Sequence, residues 1–416
     1  MKIFIDVYGC TANKADANLI AGLLLEKKHV IVKKIDESDL IIVLTCTVID
    51  TTEQKILSKL RKYKKTGKKI IIAGCMASVQ KEMIKKILPG AKFLPPQYSH
   101  HIIDIIDNEK IVFKQQDKTF FPKYYDTVFG PISISEGCIF SCSYCITTLA
   151  RGNLRSFQIN DIKKDVFFAL NNGCKEIQIT SQDTSSYGLD QDYDLGILLS
   201  ELVKIQDDFR IRVGMMNPYT CKKNLSSIIN GFNNSKIYKF IHLPVQSGSK
   251  IILEKMNRKY DVSDFEEIIE KFREKYDDIT LSTDVIVGFP TETENQFNKT
   301  IELIKKIKPD ITNITRFSAR PGTNAKKMDG RIPTEIVKDR SKKITEICKK
   351  ISYDNNKKHV GKKYRMLITE KGKKNTYVGR SENYKPIVIR EKREIGSFHE
   401  VEITDFESSY LIGRLI

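Results

Sequence analysis

The stretch Ser135–Arg155, SEGCIFSCSYCITTLARGNLR, constrains this chain more than any other. It holds Cys138, Cys142 and Cys145 in a C-x3-C-x2-C array. Three thiolates ligate three irons of a [4Fe–4S] cube and leave the fourth without a protein ligand. Simple electron transfer wants all four irons closed. An open iron suits chemistry on a chelating molecule, such as one offering the amino and carboxylate groups of a methionine moiety. A structural zinc ion normally takes a fourth protein ligand, and neither a Cys nor a His lies close by.

The compartment is indicated by the sequence around that array. Nine cysteines in 416 residues are an odd number without dense pairing. The start, MKIFIDVYGC, has Asp6 inside its apolar run and does not read as a signal peptide. No stretch approaches the ~18–20 apolar residues of a membrane span. A cytoplasmic, reducing setting without a membrane partner is expected, where clustered cysteines are metal ligands rather than disulfides. The net charge of +18 favours a polyanionic partner, nucleic acid being the usual one, although a Lys-rich surface also arises from heat adaptation.

Taken in order, the first 107 residues alternate strand and helix. KIFIDVYGC, LIIVLTC and KIIIAGC are continuous apolar strands of the kind buried in a parallel sheet, and each finishes on a cysteine: Cys10, Cys46 and Cys75. Ligands of open α/β sheets bind beyond the carboxyl ends of the strands. Strand ends of one parallel sheet share an edge, so these thiols form a second three-Cys site, with buried hydrophobic cysteines as the plainer alternative.

Residues 108–130 break the rhythm and read as a linker. Over 124–355 the βα alternation resumes through about six units, enough for an incomplete parallel barrel, a partial (β/α)6 barrel closed by a helix over Glu335–Tyr353. Active sites of such barrels gather at the carboxyl ends of the strands. The polar exits TSQDTSSYG (180–188), PVQSGS (244–249) and DVIVGFP (284–290) fall there, which makes Gln182, Asp183, Gln246 and Asp284 candidate ligand contacts.

Residues 357–416 change to five short β runs separated by Gly and Lys, a small antiparallel β-barrel. Lys362, Lys363, Arg365, Lys373, Lys374, Arg380, Arg390, Lys392 and Arg393 make it basic, and Tyr377 and Tyr384 offer faces for stacking on bases. Lys362, Lys363, Arg390, Lys392 and Arg393 are the candidate RNA contacts. A solvated β domain with a generic positive face has the same composition.

This order of parts resembles the methylthiotransferases of the radical S-adenosylmethionine superfamily over essentially the whole chain, with a TRAM-like RNA-binding domain at its end. ARGNLRSF (150–157), TSQDTSSYG, NPY (217–219), HLPVQSGS and RPGT (320–323) look most like the archaeal and eukaryotic branch acting on N6-threonylcarbamoyladenosine at tRNA position 37. The resemblance implies that Cys138, Cys142 and Cys145 hold the catalytic [4Fe–4S] cluster that binds and cleaves S-adenosylmethionine, with Tyr144 beside the adenine. It implies that Cys10, Cys46 and Cys75 hold an auxiliary [4Fe–4S] cluster, the source or carrier of the sulfur. A second S-adenosylmethionine would supply the methyl group, and an unidentified electron donor is implied. The C2–H of adenine is neither acidic nor readily displaced, which is why radical chemistry borne by a cofactor suits the task. Position 37 lies in the anticodon loop, where a base turns outward without opening a duplex. Cys174, Cys221 and Cys348 match no motif. One departure is visible: GFPTET (288–293) has Thr291 where the family usually has Gly.

Two rivals stay open on sequence alone. The same chemistry could serve isopentenyladenosine in tRNA or an aspartate of a ribosomal protein. A non-catalytic iron–sulfur RNA-binding protein or redox sensor is the rival from another class, separated by whether reduced protein cleaves S-adenosylmethionine.

Overall fold

The computed structural model describes residues 1–48, 50–109 and 113–416. Strands β1 (Lys2–Val7), β2 (Val30–Val32), β3 (Leu40–Thr45), β4 (Lys69–Gly74) and β5 (Lys92–Leu94) form one parallel sheet in the order β2-β1-β3-β4-β5. The central strand β3, LIIVLT, is buried on both faces. Leu19, Ile20 and Leu24 of the helix Thr11–Glu26 cover one face, and Ile56, Leu57 and Leu60 of Asp50–Lys64 cover the other. The two flanking strands β2 and β5 are additions to the three strands expected; at three residues each they carry too little pattern to be read.

The expected linker over 108–130 includes residues 110–112, which lie outside the described residues. The rest of the segment is tied to the domains on either side. Lys118 is buried, and the Tyr124 amide donates to the Asn18 carbonyl at 2.9 Å.

The middle of the chain contributes β6 (Phe129–Ser133), a small hairpin of β7 (Ser135–Glu136) and β8 (Arg155–Ser156), then β9 (Glu176–Thr180), β10 (Arg210–Val213), β11 (Phe240–His242), β12 (Thr280–Val287) and β13 (Ile311–Arg316). β6, β9 and β10 pair in parallel, as do β11, β12 and β13. Parallel bridges Ile211–Ile237 and Met215–His242 join the two halves. The result is an open six-stranded parallel barrel in the order β6-β9-β10-β11-β12-β13, with helices outside. Val166, Leu198, Phe265, Phe272 and Phe297 from four of those helices pack into the largest hydrophobic core.

Strands β14 (Lys363–Lys371), β15 (Tyr377–Arg380), β16 (Pro386–Ile389), β17 (Phe398–Phe406) and β18 (Leu411–Leu415) close a barrel in the order β14-β15-β16-β18-β17. All pairs are antiparallel except β16 with β18, so the expected small antiparallel barrel is present with one parallel pair. This small barrel docks where the six-stranded barrel's strands begin. Tyr384 packs between Tyr238 and Phe240 and donates to Glu176 Oε1 at 3.0 Å. Lys385 Nζ donates to Asp310 Oδ1 at 2.6 Å, Arg365 pairs with Asp208 at 2.5 Å, and Tyr364 donates to Asp278 Oδ2 at 2.7 Å. Glu176, Arg210 and Phe240 are the first residues of β9, β10 and β11, so the small barrel seals the amino ends.

Candidate active site

The cysteines sit at the other end. Cys10 follows β1 and caps the helix Thr11–Glu26, Cys46 follows β3, and Cys75 opens the short helix Cys75–Val79 after β4. The three thiols are mutual electrostatic neighbours: Cys10 and Cys46 both act on Cys75. A helix N-terminus favours negative charge on sulfur, whereas burial pushes the Cys75 thiol up to about 12. An ionised Cys75 therefore needs a cation beside it.

Cys138, Cys142 and Cys145 lie on the loop after β7, again coupled to one another. Burial, before any neighbouring charge, pushes the Cys138 thiol up to about 12. The loop is pinned from several sides. The Cys138 amide donates to Gly152 O at 3.1 Å, and the Gly137 amide donates to Gln182 Oε1 at 2.7 Å. Ser143 donates from its amide to Met256 O at 2.9 Å and from its hydroxyl to Lys255 O at 2.8 Å. Arg258 Nη1 reaches Cys142 Sγ at 3.5 Å.

Three of the six cysteines follow a glycine, and all three glycines have positive φ: Gly9, Gly74 and Gly137. At Gly137 (φ +81°) a Cβ would stand 1.9 Å from the Asn153 carbonyl oxygen, so no side chain fits. At Gly9 (φ +103°) it would stand 2.7 Å from the Cys46 Cβ, so β1 and β3 approach closely there. The repeated Gly-Cys dipeptide is a signal of these turns that is readable in the sequence.

The donor chemistry fits two clusters with one open iron each. Both sets are three thiols, no disulfide joins any of the nine cysteines, and each set has an arginine beside it. Among the described residues no group of three or more His, Cys, Asp or Glu side chains converges on a single metal ion. A cube differs from a single ion in presenting its irons at separate corners.

The strand-exit residues take distinct places. Asp284 Oδ1 accepts from His242 Nε2 at 2.9 Å and Asn313 Nδ2 at 2.8 Å, a row across β11, β12 and β13. Burial works against its charge, yet His242, Asn313 and the Arg258 cation outweigh it and hold the carboxyl below its ordinary value. Gln246 adopts φ +69° and exchanges backbone hydrogen bonds with Asp284 and Ile286. Tyr144 packs against Met256, Ile286, Phe289 and Ala325. Asp183 is buried, its Oδ1 accepting from Ser185 and Asn217 and its Oδ2 from Thr220, so it holds the wall of the site. Burial raises its carboxyl, and those donors oppose the rise. Thr291 takes φ +67°, the left-handed conformation that glycine adopts without cost.

Of the basic residues in the small barrel, Lys362, Lys363, Arg390, Lys392 and Arg393 are exposed, Lys362 lying 3.7 Å from Asp278. Arg365 and Arg380 are engaged by neighbours within the protein, Arg365 by Asp208 and Phe398 and Arg380 by Tyr384. Tyr384 itself is spent on the barrel contact, which corrects its expected role as a stacking face.

Sequence reasoning quotes ARGNLRSF and RPGT only as family motifs and does not show that they join the two cysteine sets. The helix Cys75–Val79 packs against the helix Thr147–Arg151 that follows the loop array. Ser78 Oγ and Gln97 Nε2 both donate to Ala150 O, at 3.0 and 2.8 Å. Arg320 of RPGT binds Glu53, and Glu53 accepts from Gln80 at 2.7 Å.

The sequence matches the family described as "Uncharacterized protein family UPF0004" over residues 2–94, the Radical SAM superfamily over 132–304 and the TRAM domain over 357–416. A "Probable threonylcarbamoyladenosine tRNA methylthiotransferase" of Archaeoglobus fulgidus is 41% identical over all of this chain and 99% of its own length. The human "Threonylcarbamoyladenosine tRNA methylthiotransferase" is 30% identical over 99% of this chain and 74% of its own length. In fold, the chain is similar to the radical S-adenosylmethionine methyltransferase TsrM from Kitasatospora setae, with a TM-score of 0.55, 12% identity, and coverage of 78% of this chain and 73% of that one. No helix among the described residues is long and apolar enough to cross a membrane. The chain belongs to the threonylcarbamoyladenosine tRNA methylthiotransferase family, with the radical S-adenosylmethionine domain at its centre.

Proposed function

We propose that the protein methylthiolates C2 of N6-threonylcarbamoyladenosine at position 37 of tRNA, using two S-adenosylmethionine molecules and two [4Fe–4S] clusters. The observation that carries this reading is the contact between the two cysteine sets through the segment Ala150–Gly152. A thiol set that served electron transfer alone would not need to face a second open one.

When bound, the clusters and S-adenosylmethionine supply the one-electron and radical chemistry. The chain's own residues supply position and environment. Gln182 and Gly152 fix the turn that presents Cys138, and Arg258 sets a cation beside Cys142. Tyr144, Gln246 and the row His242–Asp284–Asn313 bound the cofactor pocket, with Asp183 behind them. Lys362, Lys363, Arg390, Lys392 and Arg393 bind tRNA phosphates, and the names of the relatives favour the threonylcarbamoyl substrate over its rivals.

Two measurements test the proposal. Anaerobically reconstituted protein should bind about eight irons, two cubes of four. Replacing Cys138, Cys142 and Cys145 by Ala should halve that content and abolish cleavage of S-adenosylmethionine. Replacing Cys10, Cys46 and Cys75 should halve it too, yet spare cleavage and stop methylthiolation. Nucleoside mass spectrometry of tRNA from a deletion strain should show the substrate nucleoside without its methylthio group; an unchanged nucleoside profile refutes the substrate.

A further inference from the structure

Arg151 ends the helix that follows the loop cysteines and points out of the barrel into the N-terminal domain. Its Nη1 donates to Glu136 Oε1 at 3.0 Å, and its Nη2 donates to Asp16 Oδ2 and Asn13 Oδ1, both at 2.8 Å. Lys118 bridges the same two carboxylates, 2.5 Å from Asp16 and 2.8 Å from Glu136. All four charged side chains are at most 6% exposed. Two cations face two carboxylates, so the group is neutral before any thiol ionises. Removing one member would leave a buried charge unpaired.

The connections beyond this group give it direction. Asn13, which accepts from Arg151, donates through Nδ2 to Tyr8 O at 2.7 Å and to Thr45 O at 2.8 Å. Those carbonyls lie just before Gly9-Cys10 and Cys46. Arg151 is also an electrostatic neighbour of the Cys75 thiol, and Cys10 lies in its field. On the barrel side the next residue, Gly152, accepts the Cys138 amide. One arginine is therefore referenced to all three N-terminal cysteines, and its neighbour to the first cysteine of the loop.

We propose that Arg151 is a positioning residue that locks the N-terminal cysteine set against the barrel set and holds a positive charge on its sulfur donors. The planar fork does what a lysine cannot, since it engages Glu136, Asp16 and Asn13 in different directions at once. Its charge favours the reduced, more negative state of whatever the N-terminal thiolates hold, and so raises the potential there.

The proposal rests on the reading that Cys10, Cys46 and Cys75 bind a cluster. The test uses full-length protein, reconstituted anaerobically with iron and sulfide. The midpoint potential of the N-terminal site is read by electron paramagnetic resonance in the background with Cys138, Cys142 and Cys145 replaced by Ala. Methylthiolation of tRNA is read in the otherwise native chain. Arg151→Gln should lower the potential and slow methylthiolation by about tenfold or more, as loss of outer-shell partners does. Arg151→Lys, which keeps the charge and loses the fork, should hold the potential near the native value while methylthiolation falls. If Arg151→Gln does not fold, the Lys variant decides alone, and native methylthiolation in it overturns the proposal. A loaded N-terminal site with native potential and native methylthiolation in Arg151→Gln also overturns it. No iron at that site in the native-Arg151 background overturns the underlying reading, and the proposal with it.

Discussion

Three of the six cysteines are placed by a preceding glycine with no chemistry of its own. Gly137 cannot carry a Cβ, because the Asn153 carbonyl occupies the space and φ is positive. Gly137→Ala should therefore shift the Cys138 turn, with loss of iron from the barrel site alone and a fall of about tenfold or more in cleavage of S-adenosylmethionine. Iron assay beside product chromatography checks it; full loading with native cleavage would show that the turn has slack. Thr291 is the opposite case, a β-branched residue held at φ +67°. Relieving a left-handed non-glycine residue is worth about 1–2 kcal/mol, offset in part by glycine's freer unfolded chain. Thr291→Gly should raise stability by about 1 kcal/mol in denaturant titration and leave activity unaltered. At this scale the six cysteines were legible because their spacing is local or tied to strand ends. Arg151, Arg258 and Arg320 were not, since an arginine becomes a bridge only when folding brings its partners, up to 273 residues away in sequence, beside it.

Among elements, the joint between the two barrels carries the clearest predictions. Tyr384 fills the space between Tyr238 and Phe240 and supplies a hydrogen bond to Glu176, whose carboxyl is raised by burial. Tyr384→Ala should cost about 3–5 kcal/mol, the range for deleting a buried aromatic, seen as a lowered melting temperature. Deleting residues 357–416 would strip the same contacts, so point substitutions at Lys362, Lys363, Arg390, Lys392 and Arg393 are the sounder test of RNA binding.

The joint also titrates. His359 is buried against Tyr364, with Asp278, Lys362, Lys385 and Asp310 around it, and burial followed by the nearby lysines lowers its pKa to about 4. A depressed folded value means that stability is complete above the unfolded value of about 6.5 and is lost as pH falls from there towards 4. His100 shares that window, also lowered to about 4 by burial. His359→Gln should flatten, without abolishing, the acid loss of stability; an unchanged slope would remove His359 from the account. The strands of both barrels were legible because apolar runs end at Gly, Pro and charged turns. The docking of one on the other was not, because the Tyr384 and Lys385 side chains that make it read as ordinary polar surface in an exposed β domain.

For the whole molecule, the two kinds of surface lie at opposite ends of one barrel. The cysteine sets crown the carboxyl ends, and the basic small barrel plugs the amino ends. The eight residues of β12, at ~3.3 Å each, run about 26 Å along the strand, or about 21 Å along the barrel axis at the ~36° tilt of such barrels. On the proposed function, a nucleic acid gripped below and reacted above must pass along the outside of the barrel, and the enzyme would act as a ruler. On that proposal, an excised anticodon stem-loop engages the reacting end without the grip, and should show a raised KM with kcat little changed. On the same proposal a complete tRNA spans both ends, and substrate choice would depend on the distance between two features of the RNA as well as on the base itself.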